Sequence, residues 1–251
     1  RMVPIFLSII SSLLLFLIGN RLYGFKVGIW TILIYTTVTI FIVNQRIVVA
    51  ESLVTTLLLA SLYLTLLFPK KVPYKVAVLA GVLCGLSFLS KILGIVTFFT
   101  VFYLFAAQKV PRRIMLIFTT VFGMFVFGFI AYGRYYGWEQ FVTVQAYQAG
   151  RHIGPETLWA IFTSPTIVNK PFFEGWYFLG LLALFSLVFD YRRHRYIIVP
   201  SIFYVLLLIA SLWQADRHGW YFIPLFPFMS LSIAQALHES IKKLNWWPKV
   251  K

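Results

Sequence analysis

The chain has 251 residues, of which 61% are hydrophobic, 19% aromatic and only 12% charged. A water-soluble domain of this length carries about twice that share of charge, so a soluble globular protein is excluded. The formal net charge of +15 would suit a nucleic acid, but the placement of the charges excludes that partner as well.

Apolar runs approaching the roughly 20 residues that cross a bilayer occur at 3–20, 25–43, 47–68, 74–90, 93–107, 114–133, 175–189, 196–213 and 219–237. They predict an all-α fold: a polytopic integral membrane helical bundle of about nine transmembrane helices, forming one domain over residues 1–251. Gly24 and Gly28 open the second run, and Gly81 and Gly85 lie inside the fourth. The G-x-x-x-G spacing lets two helix backbones approach closely, and that packing role accounts for both pairs. Cys84 is the single cysteine, so neither an intramolecular disulfide nor a cysteine-cluster metal site is possible. The long connection at 134–174 contains Pro155, Pro165 and Pro171 and carries Trp138, Phe141, Tyr147, Trp159 and Phe162. It reads as an external amphipathic loop on the membrane surface. Pro224 and Pro227 predict a kink at the start of the last run, and Trp246 and Trp247 read as an interfacial belt.

Basic residues collect on alternate connections: Arg21 and Lys26; Lys70, Lys71 and Lys75; Lys109, Arg112 and Arg113; Arg192, Arg193 and Arg195; and Lys242, Lys243, Lys249 and Lys251. These are fifteen of the 22 Lys and Arg residues. The positive-inside rule makes that side cytoplasmic, which puts the C-terminus in the cytoplasm and the N-terminus outside. An external start predicts that a further helix and an external segment precede Arg1. The surplus positive charge is thus a topology signal, and "DYRRHRY" at 190–196 reads as one of its basic loops.

The opposite side gathers ionisable groups from four segments. Arg46 and Glu51 open the third run, and Lys91 separates the fourth from the fifth. Arg151 and His152 lie in the long loop, and Asp216, Arg217 and His218 precede the last run. Ionisable groups at membrane depth are costly and mark functional sites. Glu51 falls in the first turns of a helix, where the dipole favours an anion. Arg46 lies five residues earlier, about 140° around an ideal helix, so the two do not pair and each needs another partner. Lys91 has no acid near it in sequence, and an external anion is its expected partner. Several cations with one or two carboxylates suit a phosphate carried on a lipid: Lys and Arg neutralise phosphate oxygens, and a carboxylate can share a divalent cation with them. No P-loop, dinucleotide fingerprint, H-E-x-x-H or nucleophile elbow occurs in the chain.

The segments "GNRLYG", "QRIVVAESLVTTLLLASLYL", "GVLCGLSFLSKILGI", "FEGWYFLGLLALFSLV" and "DRHGWYFIPLFPFMSLSIAQAL", in that order, resemble the multi-pass GT-C glycosyltransferases. The resemblance is to the branch of protein O-mannosyltransferases and lipid A aminoarabinose transferases. It implies transfer of a sugar from a polyprenyl-phosphate donor to a protein or lipid acceptor, at the extracytoplasmic face of the cell membrane. It also implies a catalytic carboxylate in a first external loop, ahead of the part matched here, so no residue of this chain is assigned as the base. Glu51 matches a second acidic position near the donor phosphate or a metal, and Lys91 a basic position facing the lipid phosphate. Arg217, His218 and Tyr221 match a motif near the donor phosphate or sugar. Arg46, Arg151 and His152 complete the substrate-binding candidates, and a divalent metal ion at Glu51 is the one cofactor considered.

Two other functions fit this composition. A transporter or flippase for an anionic lipid-linked substrate would use the same cations, but it predicts inverted repeats and midplane charges. A non-catalytic membrane scaffold would not need cations converging from several segments. The orientation is directly testable, because Cys84 lies in an apolar run and gives little labelling background. In intact cells a membrane-impermeant thiol reagent is expected to label Glu139→Cys, and to label Lys71→Cys and Arg192→Cys only after permeabilisation; the opposite pattern overturns the topology.

Overall fold

The computed structural model describes residues 2–45, 50–69, 71–149, 166–167, 170–171, 175–211 and 219–244. Its helices are α1 (Met2–Tyr23), α2 (Phe25–Thr37), α3 (Thr39–Gln45), α4 (Ala50–Leu67), α5 (Tyr74–Ser90), α6 (Ile95–Ala107), α7 (Arg112–Ala149), α8 (Gly175–Leu187), α9 (Tyr191–Ser211) and α10 (Phe226–Leu244). Short 3-10 segments cover Ile92–Gly94, Val188–Asp190 and Gly219–Leu225. The extended structure among the described residues is a two-residue antiparallel pairing of β1 (Thr166–Ile167) with β2 (Lys170–Pro171).

The described residues are almost wholly helical, as expected, but the apolar runs are not all continuous helices. Four stretches among the described residues are long and apolar enough to cross a membrane: Met2–Tyr23, Ala50–Leu67, Arg112–Tyr147 and Gly175–Ala210. Phe25–Thr37, Tyr74–Ser90 and Ile92–Ala107 are apolar but shorter. The run expected at 25–43 is interrupted at Val38, whose backbone is extended at ψ 121°. The last run opens as a 3-10 segment through Pro224 and becomes α-helical only at Phe226, so the helix type changes where the prolines lie.

Two expected loops differ from expectation. Residues 191–196 are the first turns of α9 rather than a basic loop. Arg192 and Arg193 stay exposed there, while His194 turns inward, 5% exposed, and its Nδ1 meets the Tyr23 hydroxyl at 2.6 Å. The second difference is α7, which runs on to Ala149, well into the region expected to be external loop. Its course breaks at Gly137, with φ 156° and ψ 88°, angles that a residue bearing a Cβ rarely adopts. Phe129 and Phe141 flank that break with ring centroids 5.1 Å apart. A straight helix would separate them by about 18 Å, so the chain folds back on itself after Gly137.

Packing divides into two apolar cores. The larger draws on α1, α2, α4, α8, α9, α10 and the 219–225 segment, with Leu58, Leu62, Tyr204, Phe226 and Phe228 fully enclosed. The smaller is built by α5, α6 and α7 around Ala80, Cys84, Phe105 and Phe118, where Phe98 stacks on Phe122 at 4.2 Å. Helix α6 faces both cores, with Val96 and Leu104 on one and Val101 and Phe105 on the other. Large apolar side chains such as Leu116, Met124 and Phe127 of α7 point outward. Water would penalise that surface, whereas lipid tails match it.

Helices α5 and α7 touch through the G-x-x-x-G pair. A Cβ on Gly81 would stand 2.8 Å from Val121 Cβ, and one on Gly85 would stand 2.3 Å from ring carbons of Phe125. Gly81→Ala and Gly85→Ala are each expected to destabilise the detergent-solubilised protein by about 1–3 kcal/mol through overpacking. Gly123→Ala on α7, where a Cβ meets nothing within 4 Å, should cost nothing. Thermal unfolding of the three variants side by side checks this.

Candidate functional site

Glu51 is the second residue of α4 and only 3% exposed. Burial of a carboxylate is expensive, and two features offset it: the N-terminal helix dipole, and a cation delivered from another segment. The cation is Lys91, whose ammonium group forms an ion pair and hydrogen bond with Glu51 Oε1.

Lys91 reaches Glu51 because the chain stops being a helix there. Its backbone is extended, at φ −164° and ψ 141°, between α5 and the 3-10 turn Ile92–Gly94. The interruption is closed locally: the Lys91 N–H donates to Ser87 O at 3.3 Å, and the Gly94 N–H donates to Lys91 O at 2.7 Å. The hydroxyls of Ser87 and Thr97 meet at 2.9 Å across the same turn. A Cβ on Gly94 would fall 2.0 Å from the Ser87 carbonyl oxygen, so this turn admits only glycine.

The third member is Tyr221, in the 3-10 segment before α10. Lys91 Nζ lies 4.3 Å from the centre of its ring, within the range of a cation–π contact. Tyr204 of α9, wholly buried, donates its hydroxyl to the Tyr221 carbonyl at 2.7 Å and fixes the segment. Thr55, one turn along from Glu51, donates to the Glu51 carbonyl at 2.7 Å. The result is a compact cluster of a carboxylate, an ammonium and an aromatic face, drawn from α4, the α5–α6 turn and the approach to α10. The Lys91 side chain is 28% exposed, so the cluster is not fully sealed from its surroundings.

Of the eight candidate residues, the structure brings Glu51, Lys91 and Tyr221 together. Arg46, Arg151, His152, Arg217 and His218 lie outside the described residues. Beside the external anion expected for it, Lys91 has a partner within the fold, Glu51, forty residues earlier, and the sequence gap hid that pairing. The same ion pair bears on the metal. Glu51 is already engaged by a positive group, which repels a divalent ion, and no group of three His, Cys, Asp or Glu side chains assembles among the described residues. Among the described residues, Glu51 therefore has no companion ligands for a metal. Ser87, Gly94 and Tyr204 support the cluster without carrying charge, so composition does not single them out. The signal for Tyr204 is a phenol in the middle of the apolar run 196–213.

A family model described as dolichyl-phosphate-mannose-protein mannosyltransferase matches residues 1–132, which include Glu51 and Lys91. No curated protein and no solved structure matches the chain.

The two ions differ in exposure, and their removal should differ accordingly. Lys91→Met leaves a buried carboxylate without its cation and is expected to cost roughly 3–5 kcal/mol of stability. Glu51→Leu leaves a lysine that can still reach water and the Tyr221 ring, so its cost should be clearly smaller. The double variant should recover much of the Lys91→Met loss. Thermal denaturation of the four proteins in one detergent measures the cycle.

Proposed function

This chain belongs to the dolichyl-phosphate-mannose-protein mannosyltransferase family, of the GT-C type, and from that premise we propose its reaction: transfer of a sugar from a polyprenyl-phosphate-linked donor to a protein or lipid acceptor at the extracytoplasmic face of the cell membrane. The carrying observation is that Lys91, the basic residue between two apolar helices, meets Glu51 and Tyr221 from two other segments in one partly open cluster. The charge asymmetry of the connections supports about nine spans, with this cluster at the outer end of α4.

In this reading the ammonium of Lys91 faces the phosphate of the donor. Three N–H donors allow it to keep Glu51 while offering a proton to a phosphate oxygen. The pair is neutral as a unit, so net attraction for an anion has to come from further cations. Arg46, five residues before Glu51, and Arg217, four before Tyr221, supply them. His218, Arg151 and His152 complete the donor-binding side. Glu51 acts by holding Lys91 in place.

The chemistry is an inverting displacement. An acceptor oxygen forms a bond to the anomeric carbon as the bond from that carbon to the phosphate oxygen breaks, and the electron pair leaves with the polyprenyl phosphate. Charge grows on the leaving phosphate, which is where a fixed cation lowers the barrier most. The acceptor's proton passes to a carboxylate that the family resemblance implies in an external loop.

Transfer from a polyprenyl-phosphate sugar by the full-length protein tests the reading, with rates normalised to folded enzyme. Lys91→Met is expected to lose at least about 100-fold in kcat/KM, and Lys91→Arg, which keeps the charge, should retain more activity. Unchanged transfer by Lys91→Met overturns the assignment.

A further inference from the structure

Immediately beside the charged cluster, four elements enclose a small pocket. Its polar lining is Ser8 and Ser11 of α1, Tyr35 of α2, and Ser52 and Thr55 of α4, with Ile223 of the 219–225 segment closing one side. The space inside is about the size of one water molecule. Every polar side chain in this lining is a hydroxyl, so the pocket has no charge to hold a phosphate, a carboxylate or a metal ion.

Most of these hydroxyls are engaged. Ser11 meets Thr56 at 2.8 Å, and Thr55 donates to the Glu51 carbonyl. Ser52 is different. Its residue is 7% exposed, and its Oγ is shielded from solvent with no hydrogen-bond partner among the described residues. A buried hydroxyl without a partner is unfavourable, and here it lines a cavity that one more hydroxyl group would fill.

We propose that this pocket is a binding site for one uncharged hydroxyl group, held by Ser52 Oγ. The group has two sources, an ordered water or a hydroxyl of the donor sugar. The second rests on the transferase reading above. Position favours a link to the active cluster: Ser52 follows Glu51 directly, and Ile223 lies two residues after Tyr221.

The test uses the full-length protein in lipid nanodiscs, as wild type, Ser52→Ala and Ser52→Val, with two readouts. The first is a high-resolution structure without donor. If the source is water, the wild type shows one density peak within hydrogen-bond distance of Ser52 Oγ, and Ser52→Val, which fills the space, does not. The second is transfer kinetics with polyprenyl-phosphate mannose and its monodeoxy analogues. If the source is the sugar, Ser52→Ala raises donor KM roughly tenfold or more while kcat changes little. One deoxy donor then shows the same KM with both proteins. No peak in the wild type together with an identical KM for every donor overturns the proposal. Absence of transfer by the wild type instead sinks the transferase reading, and the donor-free density still decides the pocket. If Ser52→Ala does not accumulate, Ser52→Cys, similar in volume but a poor hydrogen-bonding group, gives the same readings.

Discussion

A carboxylate that is 3% exposed inside an apolar bundle sets the terms for everything around it. An ion removed from water costs several kcal/mol, and only a well-placed counter-ion and hydrogen bonds offset that cost. Glu51 receives both from chain segments that have little else in common. The turn after α5 is tight enough to require Gly94, and its extended residue is the lysine that reaches across. The segment ahead of α10 departs from α-helical geometry, and its tyrosine presents a ring to the same lysine. The buried Tyr204 contributes by holding the carbonyl of Tyr221.

Much of this was legible in the sequence, for a physical reason: charges are so unfavourable in an apolar environment that their positions are informative without a fold. Glu51 and Lys91 could be singled out because the runs around them carry little other charge and are rich in Val, Ala, Leu and Ile, and angular separation ruled out an ion pair between Arg46 and Glu51. Their mutual pairing was not legible, since nothing in "QRIVVAESL" points to a residue forty positions later. Distances between helices depend on small residues, and the contact of Gly85 with Phe125 shows how a glycine spacing becomes a specific neighbour only once the partner helix is placed.

Element lengths were harder to read for a related reason. Hydropathy reports which residues avoid water, and it is blind to the backbone between them. Val38 is as apolar as any helical neighbour, yet its ψ of 121° divides α2 from α3. Tyr136, Gly137 and Trp138 look like the beginning of a loop, and the chain does turn there, but with helix on both sides. His194 sits in a run of arginines that reads as solvent-exposed, and the Tyr23 hydroxyl draws it inward.

The two apolar cores give the ion pair a mechanical meaning. Lys91 is carried at the end of α5, which is locked to α7 by close-packed glycines, while Glu51 and Tyr221 belong to elements of the larger core. Lys91 therefore adds a polar tie between the two cores, beside helix α6, which joins them through apolar contacts.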